Sequence, residues 1–349
     1  MARQTLGLLA LVVASCGGDG GGDNAPAPSP SPPPPITDAN RISAATLTIN
    51  NNAMCSAAAL GPYYWEIGDA SGLKASGSVG QGAPTAATSM LVYSASKWLY
   101  AASIVEQRAA AGLDPVNDVP YLNFTSGWSK FGNQPFCLVA PGNASVDNCP
   151  PGSTTNAHDP STDGRFAYDT GHMQHHASAV MGLGAANTSQ LEFRLNQYVG
   201  NFGYTYNVPQ LAAGVQATTL AYAHFLQLLL QGKLLMSARL GTHKVCAQTQ
   251  APGCNAAFTP DSIGTEAWNY SLGHWVEDDP TVGDHAFSSP GGGGFYPWID
   301  ATKTYYGILA RDRQTESGAG FHSAQCGRLV RQAWVTGKQV TSDVPTPGP

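Results

Sequence analysis

Six cysteines, at positions 55, 137, 149, 246, 254 and 326, constrain this chain more than any other feature. They follow an apolar stretch, Leu6 to Ala14, that comes after Arg3 and reads as a signal peptide over residues 1–15. An even number of thiols in an exported chain points to disulfides. Cys137 with Cys149, and Cys246 with Cys254, lie close in sequence within stretches rich in Pro, Gly and Asn, so each pair closes a short surface loop. Cys55 and Cys326 then join the two ends of the fold. Zinc is the rival use of these thiols, but no C-x-x-C occurs, so no metal site is expected.

The seventh cysteine belongs to the leader. Val13-Ala14-Ser15-Cys16 resembles a bacterial lipobox, which makes Cys16 the lipidation site. Behind it, residues 16–39 run from Gly17–Gly22 into a Pro-rich spacer, Pro26 to Pro35, and read as a tether. The expected location is the bacterial envelope, lipid-anchored and facing the periplasm or the outer-membrane surface. Only 11% of residues are charged, with 17 Lys+Arg against 23 Asp+Glu and a net charge of −6. No basic block is present, which argues against a nucleic-acid partner. No apolar run reaches the roughly 20 residues of a spanning helix, so membrane contact is expected through the lipid alone. The remaining partner is a small-molecule ester, amide or peptide substrate, bound by a monomer.

Between residues 40 and 337 the pattern predicts one α+β domain. Tyr63–Ile67 and Leu73–Val79 flank a Gly-Asp-Ala-Ser-Gly turn and read as a hairpin. Ser94 to Gly112 has Trp98, Leu99, Ala102, Val105 and Ala109 at helical spacing. Residues 114–165 read as long loops. Helical stretches follow at 176–184, 191–198 and 218–231, then strands at 270–277, 295–300 and 305–311, and a closing helix over 319–336. A sheet lobe (about 55–112 and 265–337) and a helical lobe (about 113–264) then face each other across a cleft. Residues 338–349 read as a disordered tail.

Ser94-Ala95-Ser96-Lys97 is an S-x-x-K at the start of the predicted helix. Residues i and i+3 share a helix face, so the Lys amine can reach the Ser hydroxyl and take its proton. Ser96 points away from Lys97 and is expected to be dispensable.

Several segments together resemble the superfamily of serine β-lactamases, penicillin-binding proteins and family VIII-type esterases. They are Ser94–Lys97; the hairpin Trp65 to Gly72; Pro209-Gln-Leu-Ala-Ala-Gly214 running into Thr218 and the helix at 221–226; and Ser289-Pro-Gly-Gly-Gly-Gly294 running into Trp298-Ile299-Asp300. The resemblance implies a β-lactamase/transpeptidase-like fold, an antiparallel sheet flanked by helices with a mostly helical subdomain, and no cofactor. It implies Ser94 as nucleophile, Lys97 as proton acceptor, and the backbone N–H groups of Ser94 and Gly292 as an oxyanion hole. Ser289 and Gly291 fall in the third motif as substrate contacts. In the second motif, His172-Met173-Gln174 aligns His172 with the acid/base and Gln174 with the substrate-binding amide; Tyr168 is the alternative base.

Two departures shape the functional expectation. The third motif has neither Lys nor His, and Pro290 brings no N–H to the cleft. Both weaken the grip on a substrate carboxylate. The leading expectation is an exported serine hydrolase acting on esters or simple amides through an acyl-enzyme. D,D-peptidase or β-lactamase activity is one alternative, and a non-catalytic envelope binding protein on the same fold is the other. Bland readings fail elsewhere: His172, His175 and His176 have no H-E-x-x-H, and Gly291–Gly294 has no following Lys-Ser/Thr to make a phosphate cradle.

Overall fold

A computed structural model describes residues 35–133, 136–140, 142–149, 156–249, 251–345 and 347, with Ala110 described by its backbone alone. The signal peptide, Cys16 and the tether as far as residue 34 lie outside the described residues. The tether expectation to residue 39 is shortened from its far end. Thr37 caps a helix, α1 (Asp38–Asn51), through a reciprocal capping box with Asn40. This helix was not expected, because its apolar residues are sparse and do not form a clear stripe.

The hairpin forms as β1 (Tyr63–Asp69) and β2 (Gly72–Val79). Among the described residues, the main antiparallel sheet has eight strands. From one edge it runs β2, β1, then Tyr305–Ala310, Tyr296–Ile299, Phe287–Ser288, Trp275–Val276, Asn269–Tyr270 and Val245–Cys246. Its faces follow the period-two alternation of the strands. Tyr63, Trp65, Ile67 and Leu309 face α1 and the closing helix, α2 (Ala319–Thr336). On the opposite face, Glu66 and Tyr306 hydrogen-bond each other, and Gln227 of the helix Thr219–Leu230 donates to the Tyr306 hydroxyl. Gly307 has to be glycine, since a Cβ there would sit 2.2 Å from the Trp298 ring.

The closing helix spans 319–336 as expected, between two left-handed glycines, Gly318 and Gly337. The stretch 270–277 is not one strand. Gly273, at φ +71°, turns the chain between Asn269–Tyr270 and Trp275–Val276, which pair as a tiny hairpin. The tail does not fray at 338: Val340 N–H donates to Thr48, and Asn52 Nδ2 donates to the Ser342 carbonyl. All three disulfides close as expected, Cys55–Cys326, Cys137–Cys149 and Cys246–Cys254. Among the described residues, no helix is long and apolar enough to cross a membrane.

Candidate active site

The S-x-x-K segment straddles two kinds of helix. Tyr93–Ala95 form a single 3-10 turn, and the α-helix proper runs over Ser96–Arg108. Every residue from Ser96 to Val105 is buried, so this helix is a core post rather than a surface element. Tyr93, just before Ser94, has φ +49°, a strained conformation for a side chain of its size. Neighbours hold the turn in place: Val92 N–H donates to Val215 O (3.0 Å), and the Tyr222 hydroxyl donates to Ala95 O (2.9 Å). Ser96 is not idle, because its hydroxyl accepts from the Val215 N–H at 3.1 Å.

Lys97 Nζ lies 2.9 Å from Ser94 Oγ and 3.0 Å from the Ala212 carbonyl. The ammonium is wholly buried, and burial pushes its pKa down to about 7, against the opposing pull of Asp169. The Tyr168 ring lies 4.8 Å from the same amine. Burial raises the Tyr168 phenol to about 12, countered by hydrogen bonding with Ser94 and Trp275. Ser94, Lys97 and Tyr168 therefore form one cluster. Asp169, beside it, accepts from the N–H groups of Phe131, Gly132 and Gly171.

His172 does not join that cluster. Its Nε2 faces the Ala167 carbonyl at 2.9 Å, which can only accept, so this nitrogen carries the proton. Nδ1 therefore accepts from the Ser126 hydroxyl at 2.7 Å, and the ring stacks on Phe124. Burial takes the imidazole down to about 3. Both nitrogens are committed and the ring is neutral, so His172 lacks the geometry expected of an acid/base, whereas Tyr168, the alternative, lies beside Lys97. Gln174 is likewise turned away from the cleft, into hydrogen bonds with the backbone of Val146, Pro209 and Leu211. The Ser289 hydroxyl is spent on the Ser94 carbonyl at 3.1 Å, which ties the segment 289–294 to the turn that carries Ser94.

Gly291 and Gly292 do reach the cleft, a cavity of about 440 Å³ that they share with Ser94 and Tyr168. A Cβ on Gly291 would meet Val92 O at 2.2 Å, so only glycine lets this segment approach the turn that carries Ser94. The other walls are residues 258–263, the loop 314–318 with the first turn of the closing helix at 319–321, and Asn133. Sequence reasoning missed these walls, since loop residues without periodicity carry no signal of what they face. Among the described lining residues there is no Lys, Arg or His, and Glu316 alone is acidic. Its carboxylate is held by the buried Arg311 guanidinium (2.8 and 3.1 Å) and by His322 (2.8 Å). No group of three His, Cys, Asp or Glu side chains among the described residues could hold a metal.

Solved structures with the same chain path settle the architecture. The chain has the β-lactamase/transpeptidase fold. It is similar to a β-lactamase from Mycobacterium bovis, with a TM-score of 0.55 and 15% identity over 84% of this chain and 99% of that one. The D-amino acid amidase from Ochrobactrum anthropi gives a TM-score of 0.55 and 11% identity over 79% and 97%. EstCE1, a hydrolase with promiscuous acyltransferase activity, gives 0.52 and 12% over 83% and 98%. No protein-family model matches the chain, and no curated protein sequence does. These similarities are of fold, carried at identities too low for chemistry to follow from them.

Proposed function

We propose that this protein is a serine hydrolase that acts on small uncharged esters through an acyl-enzyme on Ser94. The observation that carries the reading is the buried Lys97 amine, 2.9 Å from Ser94 Oγ and with its pKa lowered to about 7, so a large fraction is neutral near neutral pH. The neutral amine takes the Ser94 proton as Oγ bonds to the ester carbonyl carbon. The Ser94 and Gly292 N–H groups stabilise the oxyanion. Lys97 and Tyr168 then pass the proton to the departing alkoxide, which leaves as an alcohol. In deacylation the Tyr168–Lys97 pair takes a proton from water as the water oxygen bonds to the acyl carbon, and returns it to Ser94 Oγ as the acyl–Oγ bond breaks and the carboxylic acid leaves.

Esters fit better than β-lactams or D-amino-acid peptides because of the walls. A substrate carboxylate meets no cation among the described lining residues. Phe258, Pro260, Ile263 and Phe321 offer an apolar surface for an acyl or alkyl group. The test is a panel of p-nitrophenyl esters against a chromogenic cephalosporin. Hydrolysis of neutral esters, lost in Ser94→Ala, with poor turnover of carboxylate-bearing substrates, supports the reading; efficient cephalosporin turnover contradicts it. Three disulfides accord with an extracytoplasmic location, and we place the domain in the bacterial envelope on a lipidated Cys16.

A further inference from the structure

We infer that Gln174 is a positioning residue for Lys97, acting through the backbone turn at residues 209–212. The inference rests on the reading that Lys97 serves Ser94. Gln174 stands on a short helix, Gly171–His175, and its side chain is buried. Its Nε2 donates to the carbonyls of Val146 (2.8 Å) and Pro209 (2.9 Å), and its Oε1 accepts from Leu211 N–H (3.4 Å). The amide thus clamps the turn from both sides. The next carbonyl along, Ala212 O, is the one that takes a hydrogen bond from Lys97 Nζ.

The turn is tight enough to transmit the constraint. Gly214 N–H donates to Gln210 O at 2.9 Å, and a Cβ on Gly214 would lie 2.2 Å from Val208 O. Gln210 braces the same turn against the Cys137–Cys149 loop, donating to Phe136 O at 2.6 Å. Lys97 Nζ donates hydrogen bonds to Ser94 Oγ and Ala212 O, so the direction of the amine depends on where Gln174 holds that carbonyl. The titratable groups facing the amine are Tyr168, by its ring, and Asp169.

A carbonyl acceptor favours the ammonium over the amine. Displacing it therefore makes Lys97 easier to deprotonate while also spoiling its aim at Ser94. The experiment uses the full chain carrying Gln174→Met, which keeps side-chain bulk and removes all three hydrogen bonds. The rate of Ser94 labelling by a fluorophosphonate is followed against pH, with folding checked by circular dichroism. The plateau rate should fall about 10- to 100-fold, and the acid midpoint should move down by about half a pH unit. An unmoved acid midpoint, whatever the plateau does, overturns the inference. If Gln174→Met does not fold, Gln210→Met loosens the same turn from its other side and is judged by the same two readings. Failure of the parent reading is distinct, since wild type would then carry no label on Ser94.

Discussion

At the scale of single residues, the low pKa of Lys97 has two measurable consequences. The first is kinetic: acylation needs the neutral amine, so kcat/KM should fall as pH drops below about 7. The second is energetic. Unfolded Lys97 titrates at its ordinary 10.5 and folded Lys97 at about 7, so between these values the unfolded chain binds more protons and stability rises with pH. Lys97→Met should therefore be inactive yet more stable at pH 7, by a few kcal/mol at most, and the gain should disappear above pH 10.5. Thermal melts at several pH values check the sign; a variant less stable than wild type at pH 7 contradicts it. Tyr168→Phe should lower turnover about 10²-fold or more. His172→Gln should leave the pH profile of turnover in place, because that ring is committed to Ser126 and Ala167. The alignment of the second motif put His172 in the acid/base place. Burial, which only the fold supplies, moves the pKa of that imidazole out of useful range. The Ser94–Lys97 pairing was legible because a helical turn is a local property that spacing alone conveys.

At the scale of elements, the turn that carries Ser94 is held by contacts that distant segments supply. Ser96, expected to be dispensable, accepts from Val215 and so ties the start of its helix to the strand Val215–Ala217. Ser96→Ala should cost about 1 kcal/mol or somewhat more, since a buried N–H loses its partner, while Ser94 still labels. Equal melting temperatures for variant and wild type contradict this. Gly291→Ala should abolish most activity by driving the third-motif strand end away from Val92. Strongly patterned elements were legible, as the hairpin and closing helix show. The stretch 270–277 was misread because its apolar residues continue through a turn that depends on the φ of Gly273. The helix at 38–51 was invisible because its burial comes largely from packing against the closing helix, not from a stripe of its own.

At the scale of the whole molecule, the order of motifs along the chain made the fold readable, while the cleft walls at 258–263 and 314–321 depend on which loops a long chain brings together. Cys55 and Cys326 are fully buried and 271 residues apart, joining the segment after α1 to the closing helix. Replacing both with Ala should cost about 2–5 kcal/mol. The measurement that bears most directly on the central claim is mass spectrometry of the intact protein and its peptides after reaction with a fluorophosphonate. The expected result is a single adduct on Ser94, absent in Ser94→Ala and much slower to form in Lys97→Ala. An adduct on another residue, or none on protein shown to be folded, contradicts the assignment of Ser94 as nucleophile.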